Sequence, residues 1–157
     1  MNKEYEIILF QWVITIGLLI RFIDKSKIRK AYVAFTFKQI LTWILGLTVV
    51  ELGLLEYPVR LFPNANKTSF TFEYFVYPAI CAIFNVNFPV GKSFLKKSIY
   101  YISYCTAITI LEVIVERHTR ILDYIHWSWY ATWISLFLTF LATRKFFIWY
   151  FKLDKKS

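Results

Sequence analysis

Few side chains in this 157-residue sequence can do chemistry, and they are unevenly placed: ten Asp and Glu, two His and two Cys. Glu51, Glu73 and Glu112 lie inside, or within a turn of, long apolar runs. A charged side chain at the centre of a bilayer costs on the order of 2–3 kcal/mol, so at that depth it faces protein or a water-filled cavity. Glu116, Thr119 and Asp123 follow Glu112 at spacings of 4, 3 and 4, which puts all four on one face if a helix continues, with Trp127 and Tyr130 extending it. If the helix breaks near Thr119, the two ends still meet at one membrane level.

Three chemistries fit such a group. The first is a buried ion-pair network that fixes helix register, with Arg60, Arg117 and Arg120 matching the acids. In the second, paired carboxylates bind a proton or cation, or the arginines hold an anionic lipid head group. In the third, one carboxyl donates a proton while another stabilises developing positive charge. The candidate pocket comprises Glu51, Glu73, Asn85, Glu112, Glu116, Thr119, Asp123, His126, Trp127 and Tyr130.

Other site chemistries lack their patterns. Asp123 and His126 have the spacing of a carboxylate-bridged metal helix, but a single such pair is present, and neither HExxH nor CxxC occurs. No serine has a GxSxG setting. No metal and no cofactor are expected. Cys81 and Cys105 fall in the middle of apolar runs, where a thiol packs as a small hydrophobe.

The elements that must position these residues follow from composition. The chain is 58% hydrophobic and 21% aromatic, with a mean hydropathy of +0.49. Too few polar residues remain to cover a soluble domain of this size, and a disordered or disulfide-rich chain is excluded as well. The net charge of +9 does not point to nucleic acid, because the basic residues punctuate apolar runs instead of lining one face. Charge-free stretches at 7–20, 39–50, 74–91, 98–111 and 124–143, extended by interfacial residues, approach the ~20 residues that cross a bilayer.

This predicts an all-α polytopic membrane protein, a single domain over 1–157 with five transmembrane helices at roughly 6–23, 31–55, 70–90, 95–115 and 125–147. The intervening charges alternate. Arg21, Lys25, Lys27, Arg29 and Lys30 follow the first span, Lys92, Lys96 and Lys97 the third, and Arg144, Lys145, Lys152, Lys155 and Lys156 the fifth. By the positive-inside rule the N-terminus is outside and the C-terminus cytoplasmic. Eight of the ten acids then lie at the outer side, with Asp24 and Asp154 the exceptions. Glu4 and Glu6 precede the first apolar run and a basic cluster follows it, the reverse of a secretory signal.

Several local expectations follow. Pro78 should kink the third span near Tyr74, its freed carbonyl being met by a neighbouring helix or water. Gly46 and Gly53, seven residues apart, should let helices approach closely. Lys38 should snorkel to the cytoplasmic interface, Asp123 could cap the fifth helix, and Trp127, Trp129, Trp133, Trp149 and Tyr150 should form aromatic belts.

The run Phe72-Glu73-Tyr74-Phe75 before Pro78, then Phe84-Asn85, Glu112-x-x-x-Glu116-x-x-Thr119 and Tyr124-x-x-Trp127-x-Trp129-Tyr130-x-Thr132, resembles an uncharacterised family of small polytopic membrane proteins of spore-forming Gram-positive bacteria. That resemblance covers most of the chain from Glu51 onward and implies a bacterial cell-membrane location, with no activity to transfer. A weaker likeness is to heterodimeric carotenoid (lycopene) cyclase subunits, which protonate a polyene; their proline-glutamate-glutamate pattern is missing, since Glu73 stands between Phe72 and Tyr74. The expected function is a non-enzymatic binding, transport or membrane-complex component, with an intramembrane enzyme acting on an isoprenoid or lipid as the alternative. The partners such a protein admits are the bilayer, a lipid or small-molecule ligand, and a membrane-protein partner or second copy.

Overall fold

The computed structural model describes residues 3–153; Asp154, Lys155 and Lys156, counted above with the cytoplasmic end, lie outside the described residues. The described chain is a helical bundle: α1 (Lys3–Phe22), α2 (Ile28–Glu51) after a 3-10 turn at Lys25–Lys27, α3 (Tyr77–Val86), α4 (Phe94–His118) and α5 (Trp129–Phe151). α3 is entered through a π-helical segment, Phe70–Val76, which makes Phe70–Val86 one apolar element. Two short strands, β1 (Leu55–Glu56) and β2 (Asp123–Tyr124), pair antiparallel with Leu55 opposite Tyr124.

Four helical stretches, Lys3–Phe22, Lys25–Glu51, Phe94–His118 and Trp129–Phe151, are long and apolar enough to cross a membrane. The element Phe70–Val86 is shorter than the predicted 70–90. Its seven π-helical and ten α-helical residues rise about 25 Å at ~1.5 Å each. It is also the most enclosed element, with Ala79, Cys81, Ala82 and Phe84 wholly buried. A helix wrapped by its neighbours has no lipid thickness to match.

Phe84 is the centre of the half that lies toward the 87–93 turn. Its ring lies 4.8 to 5.4 Å from those of Tyr100, Tyr101, Tyr104, Phe88 and Phe140, joining α3 to α4 and α5. The outside of the bundle is also apolar: Phe10, Ile20, Leu111 and Leu138 are all more than half exposed. Large aliphatic and aromatic side chains turned outward on every long helix are what a lipid-facing surface requires.

The ends of the bundle are distinct. At one, Asn87 Nδ2 donates to the Phe22 carbonyl at 2.9 Å and the Lys30 ammonium stands over the Phe151 ring, so the turns rich in lysine and arginine lie together. At the other, Arg60 ties the 57–69 loop by donating to the carbonyls of Tyr57, Pro63 and Asn66. That loop joins the β1–β2 pair, where Ile125 and His126 donate backbone N–H bonds to Leu54.

Three local expectations change. Gly53 is not a packing glycine: nothing lies near its Cβ position, and with φ +66 it ends α2. The Gly53 amide donates to Val50 and that of Leu54 to Val49, the paired bonds of a Schellman cap. This is why α2 stops at Glu51 and not at 55. Asp123 lies in β2 and does not cap α5, whose N-cap is Ser128. Lys38 does not snorkel; it is wholly buried.

Candidate functional site

Pro78 determines the shape around Glu73. Without an N–H, it cannot donate to the carbonyls of Glu73 or Tyr74, the acceptors that a π or an α turn would use. Two α2 side chains donate to them. Gln39 Nε2 meets the Tyr74 carbonyl at 2.8 Å, and Thr42 Oγ1 meets that of Glu73 at 2.6 Å. The preceding turns widen, the Tyr77 amide donating to Phe72, while Ser69 caps the segment by accepting from the Phe72 amide. The expected kink is thus a widened helix whose freed carbonyls are met by a neighbouring helix.

The widened segment turns Glu73 inward, onto α2. A Cβ on Gly46 would lie 2.7 Å from Glu73 Cγ and 2.8 Å from Thr68 Oγ1, so glycine alone leaves room for this carboxyl. Tyr57 Oη donates to Glu73 Oε1 at 2.9 Å. Thr68 Oγ1 beside it is buried and has no hydrogen-bond partner among the described residues.

Glu112 is buried near the end of α4 and held by three hydroxyls. Tyr77 donates to Oε2, and Tyr124 and Thr132 donate to Oε1 at 2.6 and 2.7 Å. Trp127 Nε1 donates to Thr132 Oγ1 at 2.8 Å and closes the set. Burial and the neighbouring carboxylates Glu73 and Glu112 hold the Tyr57 phenol well above the ordinary tyrosine range. Burial, followed by Glu112, does the same for Tyr124. Both phenols therefore serve as donors.

The two carboxyls line one cavity of about 80 Å³, with Gly46, Tyr57, Tyr77, Trp127 and Thr132 among its walls. Ion pairing does not account for them. Among the described residues the ion pairs are Lys27–Asp24 at 3.3 Å and Lys67–Glu51 at 3.9 Å, and neither includes Glu73 or Glu112. The network in which Arg60 matches the buried acids is thus replaced by a shell of hydroxyls, Arg60 being committed to loop carbonyls.

Of the ten sequence-predicted residues, Glu73, Glu112 and Trp127 line this cavity. Glu51 is exposed and faces Lys67. Asn85 is buried near the end of α3, donating to the Cys81 carbonyl at 2.9 Å while its own backbone carbonyl accepts from Arg144. Because α4 ends at His118, the shared helical face stops there: Thr119 bonds back to Val115, and Asp123 sits in β2 opposite Glu56. Glu116 is half-buried, and His126 and Tyr130 are exposed. Of the aromatic belt, Trp129, Trp149 and Tyr150 face outward, whereas Trp127 turns in.

Sequence reasoning missed Gly46, Tyr77, Thr132 and Thr139 as walls of the cavity, and Lys38 enclosed nearby. Lys38 Nζ donates to Thr139 Oγ1 and stands 4.5 Å from the Phe140 ring centroid. A signal was present: Thr132, Ser135, Thr139 and Thr143 recur at spacings of 3, 4 and 4, and Lys38, Thr42 and Gly46 at 4, each a polar or small stripe on one helix face. Among the described residues no three His, Cys, Asp or Glu side chains gather as metal ligands. No protein-family model, curated protein or solved structure matches this chain.

Proposed function

We propose that this chain is a five-span protein of the bacterial cell membrane, N-terminus outside, whose outward-facing pocket binds a small hard cation or a proton as a binding or transport component. The observation that carries this reading is the pair Glu73 and Glu112, buried in one cavity with hydroxyl partners and no basic side chain in ion-pair contact. Carboxylate and hydroxyl oxygens are the ligands that alkali and alkaline-earth ions prefer. Glu112, with three donors, is the anchored member; Glu73, with one, is the member free to take a ligand. A space of about 80 Å³ suits a partly dehydrated ion or a few waters. It is too small for an isoprenoid chain, which favours ion binding over acid catalysis on a polyene.

The alternation of basic and acidic turns supports the orientation, and the motifs from Glu51 onward support membership of the Gram-positive family they resemble. Calorimetry on purified protein with sodium, potassium and calcium chlorides, against choline chloride, tests the site. At least one of these ions should bind, and E73Q and E112Q should each weaken it tenfold or more. Wild-type protein that binds none of them and shows no carboxyl titration coupled to its stability would sink the reading. Labelling of single cysteines placed in the 57–69 and 87–93 turns of intact cells tests the orientation, the first being accessible and the second protected.

A further inference from the structure

Lys38 is a buried ion for which the carboxyl site alone gives no use. It lies ten residues into α2, wholly enclosed, and takes part in neither ion pair of the described residues. Its ammonium donates to Thr139 and rests on the Phe140 ring, both on α5. The titratable groups facing it are Glu73 from the π segment, Cys81 from α3 and Cys105 from α4. Thr139 also lines the cavity that holds the two glutamates. Thr42 joins the two ends again, its hydroxyl lying 3.0 Å from the Lys38 carbonyl and 2.6 Å from that of Glu73. The ammonium is therefore one hydroxyl removed from the cavity, joined to it through its Thr139 partner.

An ammonium with no ion-pair partner in a membrane interior is retained only against a large desolvation cost, offset here by the nearby carboxyl charge. A cation entering the cavity would share that charge with Lys38 in a low-dielectric surround, where two positive charges repel strongly. Lysine, unlike arginine, can relieve this by releasing a proton.

We infer that cation occupancy and Lys38 protonation exclude each other, so that the site exchanges one monovalent cation for one proton. On binding, the Lys38 N–H bond gives its proton to cavity water and on to bulk solvent, and a neutral amine remains. The bundle's charge is unchanged across the exchange. This rests on the cation-binding reading above.

The test is proton release from detergent-purified wild-type protein in weakly buffered solution with a pH-sensitive dye, titrated with sodium chloride against choline chloride. The expected result is one proton released per sodium bound and a tenfold fall in sodium affinity for each unit drop in pH. K38M should bind sodium with no proton release and no such pH dependence, and K38R, with a fixed charge, should lose binding. Sodium binding without proton release in the wild type overturns the exchange, as does release that persists in K38M, which would assign the proton to a carboxyl. If wild-type protein binds no sodium at all, the exchange falls together with the sodium-site reading. If neither variant folds, E73Q at saturating sodium decides: one proton released supports the exchange, and none assigns the proton to the carboxyl and overturns it.

Discussion

Glu73 and Gly46 occupy each other's space: the Glu73 Cγ sits 2.7 Å from where a Gly46 side chain would begin. The inward turn of the carboxyl thus depends on a missing methyl group on another helix. Gly46→Ala forces either the glutamate or α2 to move. Overpacking of this kind costs about 1–3 kcal/mol. The expected outcome is a lowered thermal midpoint in detergent together with weakened cation binding. Gly17→Ala is the control, because nothing lies within 4 Å of its Cβ position; it should leave both readouts unchanged or raise stability slightly.

Removing donors from Glu112 should be costly and cooperative. Tyr77→Phe and Tyr124→Phe each delete one hydroxyl bond to this carboxyl. A hydrogen bond to a charged group is worth about 1.5–3 kcal/mol. Because both phenols serve the same carboxyl, the double variant should depart from additivity, and a cycle with Glu112→Gln should show coupling. Additive losses that survive Glu112→Gln would show that the phenols act through packing alone.

The helix widening at Pro78 yields a second coupling. Gln39→Leu strips the donor from the Tyr74 carbonyl, and an unsatisfied carbonyl costs about 1–3 kcal/mol. In a Pro78→Ala background the restored N–H can serve that carbonyl, so the Gln39→Leu loss should shrink. An equal loss in both backgrounds would mean that the proline is not what makes Gln39 necessary.

Alkaline titration should report on the phenols of Tyr57 and Tyr124. Tyr57 and Tyr124 are held above the ordinary phenol value of 10.0 in the folded chain. A raised folded value means that their contribution to stability is complete below pH 10 and is lost as pH climbs toward the folded values. Near-ultraviolet phenolate absorbance should therefore show Tyr57 and Tyr124 among the late-titrating groups of the folded protein, both titrating normally in denaturant. Tyr57→Phe should remove one of them, and an unchanged late phase would contradict the assignment.

The long apolar helices were legible because the apolar runs that make them can be read on each helix separately. Four of the five predicted spans correspond to helices long enough to cross a bilayer. The depth of Glu73 and Glu112 likewise marked them from the sequence, as did the effect of Pro78. The other acids around Glu112 misled, since their shared face required α4 to continue past Thr119. That helix ends at His118, where the chain turns into β2.

Only tertiary structure decided which side of each helix points inward. In a soluble bundle the apolar stripe shows this, but in a bilayer the lipid-facing and core-facing sides are both apolar and periodicity loses its sign. Lys38 is the clearest case: its position admits snorkelling, and only the arrangement of Thr139 and Phe140 on α5 turns it into the core. The hydroxyl shell of Glu112 is another, because Tyr77, Tyr124 and Thr132 come from three separate elements. The sequence by itself determined a bundle of helices long and apolar enough to cross a membrane, with carboxyls inside apolar runs; packing decided that two of them share a cavity and that a lysine is enclosed nearby.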